Sequence, residues 1–451
     1  MNSIKDWLNR HKREQAPSLS WADRRRNEAL EILARVSSVQ TWLELSTHEN
    51  GFVREIAVRE LCRQPSPEAL AALLERLNDW APQVREVAAA GLEHYLQAAQ
   101  AQALLFALKP LMALAGRHRT DHGPTLLAAR AVLQAPGVRQ EVYEHFLNAQ
   151  GQVARYLFAL LLEDNAEPQS LLRSALAHRE LTVRLLAVAA CQACPAEQAR
   201  PLLLEALSRP GAKVRVTVLR ALLPMLADPQ PVVRMALLDA SPAIRNLARW
   251  AATRHAVDAL AVLSERLATP PPTGKREWLG VLGLASELDV ALAQPWHTAA
   301  LQSPYATVRQ AAVRLLRDEQ TAECLAALDD PADRVFFAAI GQLDKHAWAS
   351  LRGALDARLD RDWHTLPSAR LAALMQLRPA WQQLAYLLQR LAAEPRGQAY
   401  WLARLEQWCD RQYQVVDPVT PKAERAELVN SLRALAADRL IRLESVARVA
   451  H

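Results

Sequence analysis

A Val-Arg step followed by apolar residues at helical spacing recurs along most of this chain, at intervals of about 30 residues. Gly211-Ala-Lys-Val-Arg-Val-Thr-Val-Leu-Arg-Ala-Leu-Leu is its clearest copy. Aligned on that step or its equivalent, the anchors fall near Val53, Val84, Thr125, Val153, Val183, Val214, Ile244, Lys275, Val308, Arg334, Ser368 and Gln398. Two helices of roughly 11 residues and two short turns fill such an interval. Neither helix of a pair can bury its apolar stripe alone, so the pairs must stack on their neighbours. The expectation is an all-α solenoid of antiparallel helix pairs.

The unit beginning Ser66-Pro-Glu-Ala-Leu-Ala-Ala-Leu-Leu shows how the sequence writes a pair. Ser66 is placed as an N-cap, Pro67 sits in the first turn, and Glu68 meets the positive helix end. Leu70, Leu73, Leu74 and Leu77 form one stripe. Asp79-Trp-Ala-Pro then reverses the chain before Gln83-Val-Arg-Glu-Val-Ala-Ala-Ala-Gly-Leu. A repeat array also explains how 451 residues, 51% of them hydrophobic and 23% charged, can be absorbed without separate globular domains.

Three segments are expected. Residues 1–28 form a basic lead-in or cap, with Ile4, Trp7 and Leu8 on one face, then His11, Lys12 and Arg13, and Arg24-Arg25-Arg26 after Trp21. Residues 29–380 carry the repeats. Residues 381–451 are an aromatic-rich helical repeat and cap, in which Trp401 and Trp408 are read as cap core. There Thr420 and Pro421 open a last helix that runs to about Ala447. The interval from Val84 to Thr125 is longer than the others, and its excess falls in the polar loop Gly116-Arg-His-Arg-Thr-Asp-His-Gly-Pro.

Asn78-Asp-Trp-Ala-Pro-Gln-Val-Arg-Glu-Val-Ala-Ala, Gly211-Ala-Lys-Val-Arg-Val-Thr-Val-Leu and Ser303-Pro-Tyr-Ala-Thr-Val-Arg-Gln-Ala-Ala-Val-Arg-Leu-Leu resemble HEAT-like repeats of the short variety. The resemblance covers roughly residues 38–380. It implies a right-handed superhelix in which the second helix of each pair lines the concave side. It also implies that the step arginine bonds to neighbouring turns. Such arrays mostly bind proteins; a few bind nucleic acid, and a small number are enzymes.

The formal charge is +6, and nearly all the cations are arginine, which suits carboxylate and phosphate equally. Cys62, Cys191, Cys194, Cys324 and Cys409 are scattered, and no run of about 18 apolar residues occurs. A reducing cytoplasm fits these features. The stretch from Thr269 to Lys275 fails as a phosphate loop, because Thr269 replaces the first glycine and Arg276 the final Ser or Thr. His118, Asp121 and His122 read as a solvated loop, and Cys191-Gln-Ala-Cys194 as core cysteines. No cofactor or metal is expected.

The arginines divide by register. Arg54, Arg85, Arg184, Arg215, Arg245, Arg309 and Arg334 stand at the step and read as a structural ladder. Arg59, Arg220, Arg249 and Arg314 lie four or five residues further on and should point toward the concave groove. Tyr156, Trp250 and Trp278 interleave with them. The expected function is a scaffold or adaptor that binds an acidic protein or peptide on this concave, arginine-lined face. The alternative is a nucleic-acid binder, whose catalytic version is a DNA-glycosylase-like enzyme needing a carboxylate such as Asp239 or Asp258 beside Trp250. An enzyme resembling the bilin lyases stands third.

Overall fold

The computed structural model describes residues 20–34, 38–163, 165–411 and 417–449. Ile4, Trp7, Leu8, His11, Lys12 and Arg13 lie outside the described residues, as does Tyr413 of the aromatic cap. Every regular element among the described residues is a helix. None of these helices is both long and apolar enough to cross a membrane by itself. The chain divides into two compact units, Met1–Leu226 and Ala227–His451.

In the first unit the sequence rules act as written. Ser66 Oγ accepts the Ala69 N–H at 3.0 Å and opens the helix Pro67–Arg76. Leu70, Leu73 and Leu74 are fully buried. Alternate helices stack. Trp21–Leu33, Gly51–Arg63 and Pro82–Leu92 form one layer, and Val39–Leu45, Pro67–Arg76 and Ala101–Phe106 the other. Gly151–Leu162, Leu181–Ala193 and Ala212–Leu222 stack in the same manner, as do Gln169–Ala177 and Ala196–Ser208. This is an all-α helical repeat solenoid. Gly91 marks how closely successive helices of one layer approach, since a Cβ there would lie 2.2 Å from Cys62 Sγ. Cys191 is fully buried, and burial with the nearby Cys194 pushes its thiol up to about 12.

Two expectations need adjustment here. The first described helix begins at Trp21 rather than near residue 29, because Ser20 Oγ caps the Asp23 N–H at 3.1 Å. The long polar loop is not simply solvated. Arg117 pairs with Glu75, and the backbone N–H and Nη1 of Arg119 reach Asn78 Oδ1 and Asn78 O, each at 3.1 Å. The loop therefore clasps the turn before Trp80.

In the second unit Lys275–Glu287, Ala306–Arg314, Asp333–Leu343 and Ser368–Gln376 stack in succession. Gly280 permits the closest approach. A Cβ there would lie 1.9 Å from the Leu238 carbonyl oxygen. Toward the end, Trp363, Tyr386, Trp401 and Trp408 are buried together with Leu384 and Leu405. The expected last helix breaks in two, Lys422–Ala437 and Leu443–Ala447. Arg439 takes a left-handed φ of 57°, and the Leu440 N–H turns back to Leu435 O at 2.9 Å, a helix-ending motif. Thr420 is not the cap of that helix. Its hydroxyl and N–H both donate to the buried Asp417, which also accepts the Trp381 N–H.

Candidate binding surface

The step arginines share one geometry. All but Arg334 are the fourth residue of their helix, where a side chain points back over the preceding turn. In Arg54, Arg85, Arg215, Arg245 and Arg309 alike, Nη1 donates to the carbonyl six residues earlier, at 2.7 to 3.1 Å. Arg184 instead reaches forward to Pro210 O at 2.8 Å, beside Gly211, whose φ of 111° only glycine adopts freely. Several of these arginines also grip a carboxylate from further along. Arg54 Nε and Nη2 hold Asp79 at 2.9 and 2.8 Å, and Arg309 holds Asp330 in the same bidentate way at 2.6 and 3.0 Å. Arg245 holds Glu287 at 2.7 Å.

Burial alone would raise the Asp79 and Asp330 carboxyls. Hydrogen bonds from Arg54 and Arg309, with the Ala81 and Ala332 N–H groups, outweigh it and hold both below the usual aspartate value of 3.8. These arginines are ties between turns, committed to the fold.

Phe336 and Trp278 stand at fourth positions in place of arginine, and they account for two corrections. Phe336 is fully buried where arginine stands elsewhere, so the step lies at Val335-Phe336 and Arg334 is an exposed residue before it. Arg370 takes over the missing ties, donating to Asp330 O and Pro331 O while stacking over Phe336. Trp278 is the second case. It is only 4% exposed and meets Trp296 edge-on at 5.4 Å. It is a core residue and leaves the set of candidate contacts.

The remaining candidates do not form one row. Arg59, Tyr156 and Arg220 belong to the first unit, Arg249, Trp250 and Arg314 to the second. Arg59 is exposed but pairs with Glu55 at 2.8 Å. Arg249 lies 3.4 Å from Glu287 Oε2. Tyr156 is half-buried, which pushes its phenol up, while Arg130 beside it pulls the other way. Arg220 and Arg314 are exposed and make no side-chain hydrogen bond or ion pair with a described residue. Trp250 is 53% exposed and carries the Arg254 guanidinium 3.6 Å from its ring centre. Asp239 and Asp258 both accept backbone N–H groups at turns, from Ser241 and Leu260.

A site that sequence reasoning missed lies in the first unit. Trp21, Phe52 and Trp80 line a cleft of about 500 Å³ with Arg25, Arg26, Glu49 and Glu55. Trp21 is 64% exposed and Trp80 60%, an unusual placement for the largest apolar side chain. Asn50 builds the cleft. It caps the helix Gly51–Arg63 through the Phe52 N–H at 3.1 Å, and its amide donates to Arg25 O at 2.8 Å, fixing Trp21–Leu33 against that helix end. On the other wall, Asp79 turns the chain through the Ala81 N–H at 2.9 Å and so leaves Trp80 outside. The available signal was a tryptophan inside a reverse turn, where the repeat has no core position to offer it.

The sequence matches no protein-family model and no curated protein. Among solved structures, a C-terminal fragment of the cohesin loader SCC2 from Chaetomium thermophilum is similar over 93% of this chain and 33% of that one. The identity is 14% and the TM-score 0.28, so no property of that protein transfers on this likeness. The present chain spans about a third of the fragment's length.

Proposed function

We propose that this chain is a HEAT-like repeat scaffold that binds a protein partner, with the cleft between Trp21 and Trp80 as a primary contact. The exposed aromatic pair carries this reading. Holding two tryptophans in water opposes the hydrophobic effect, and aromatic side chains set in a concave cleft are the usual anchors of protein association. The arginine pattern supports the same conclusion. Arg59, Arg130 and Arg249 each face a glutamate, Glu55, Glu163 and Glu287 respectively. A surface built for phosphate would leave such cations uncompensated. Arg220 and Arg314 remain as candidate secondary contacts on their own units.

The test is capture from the native cell, followed by reconstitution of each captured species from purified components. The expected result is a protein that binds directly after nuclease treatment and is lost with a Trp21→Ala/Trp80→Ala double variant. Capture of nucleic acid alone, weakened steeply by salt, would replace this reading with the nucleic-acid one.

A further inference from the structure

From the same cleft, and resting on the scaffold reading above, we infer the chemistry of its occupant: a linear peptide segment that inserts an aromatic or large aliphatic side chain between Trp21 and Trp80 and presents a carboxylate to Arg26. Trp21, Phe52 and Trp80 supply the rings of the cleft. Each already carries a guanidinium of this chain. Arg25 lies 6.0 Å from the Trp21 ring centre, Arg26 5.5 Å from that of Phe52, and Arg54 5.0 Å from that of Trp80. Exposed aromatic boxes ordinarily select cations. Here three arginines supply that charge internally, and a further cation would meet like charge.

The ions that line the cleft sort the same way. Arg25 is paired with Glu28 at 2.9 Å and lies 3.7 Å from Glu49. Glu55 is paired with Arg59 at 2.8 Å. Arg26 is exposed and its side chain forms no hydrogen bond or ion pair with a described residue, so it is the lining ion left to a partner. A guanidinium held flat over a ring keeps its edge N–H groups available for bidentate capture of a carboxylate. Glu49 and Glu55 in the same lining disfavour the closely spaced phosphates of a nucleic acid, which demand several uncompensated cations. A single carboxylate beside an apolar anchor satisfies the geometry, and a turn-flanked cleft of this size accepts one large side chain rather than a folded surface.

The experiment is selection of short random peptides displayed on phage against the full chain, with the Trp80→Ala and Arg26→Glu variants and a fluorescent single-stranded oligonucleotide in parallel. Both substituted side chains are exposed, and circular dichroism melts report folding. The expected result is enrichment of peptides that combine an aromatic or large aliphatic residue with a neighbouring Asp or Glu. The leading peptide should bind Trp80→Ala about thirtyfold more weakly and Arg26→Glu about tenfold more weakly. Enrichment of basic peptides that still need Trp80 would overturn the acidic occupant while leaving the scaffold reading standing. Oligonucleotide binding that needs Trp80 would overturn both. A selection in which no peptide depends on Trp80 or Arg26 would overturn the linear-peptide occupant and leave the scaffold reading to its own capture test.

Discussion

Asp79-Trp80-Ala81 in the first unit and Asp330-Pro331-Ala332 in the second are the same turn written twice. In each, the aspartate accepts the N–H two residues on, at 2.9 and 2.8 Å. In each, the arginine of the step helix one repeat back, Gly51–Arg63 or Ala306–Arg314, grips the carboxylate with two N–H groups. The middle residue has no part in that geometry. In the second unit it is proline, overlaid by Arg370, which bonds to its carbonyl. In the first it is an exposed tryptophan beside a cleft. Two turns under one structural demand differ at the position the fold leaves free, and that is where a selected property can be written without disturbing the stack.

The comparison breaks most visibly if the aspartates are not the tie. Asp79→Ala strands the buried Arg54 charge and should cost about 3–5 kcal/mol, read by denaturant unfolding. Asp330→Ala should cost less, about 2 kcal/mol, because both partners there keep more contact with water. Equal losses at the two turns would show that burial does not set the difference.

Acid should act through the same pairs. Both carboxyls titrate below their unfolded value of 3.8. Their stabilising contribution is therefore full above that value and lost as pH falls through the lower folded value. Asp79→Asn should remove part of this acid dependence from the first unit, a difference visible in melts recorded at neutral and strongly acid pH.

These effects concern what the sequence made legible. The period, the helix pairs and the ties made by the step arginines could be read because they repeat, and repetition turns one physical requirement into a visible pattern. Trp278 and Phe336 escaped that reading. An aromatic at a helix's fourth position enters the stack where arginine would fold back to its turn, and a pattern anchored on Val-Arg has no place for it. The cleft escaped for a different reason. Trp21, Phe52 and Trp80 come from three segments, and only Asn50 and the Asp79 turn bring them together. Arg59, Arg220, Arg249 and Arg314 lie on step helices as their register implies, but register alone could not say that Arg59 faces Glu55 or that the four fall in two units.

The smaller effects sharpen the comparison from the other side. Trp80→Pro writes the second turn into the first. It should cost about 1 kcal/mol or less, the cation–π contact with Arg54, while abolishing binding at the cleft. Arg59→Ala should change stability by only about 0.3–0.5 kcal/mol, the usual worth of an exposed pair on one helix face.

The division between residues that tie turns and residues that meet a partner is tested most directly by measuring Trp80→Ala twice, once by thermal melting and once by titration with the partner or the selected peptide. The account predicts a melting temperature within about 2–4 °C of the parent chain and binding weakened about thirtyfold. A melt lowered as far as that of Asp79→Ala, with binding retained, would contradict it and return Trp80 to the scaffold.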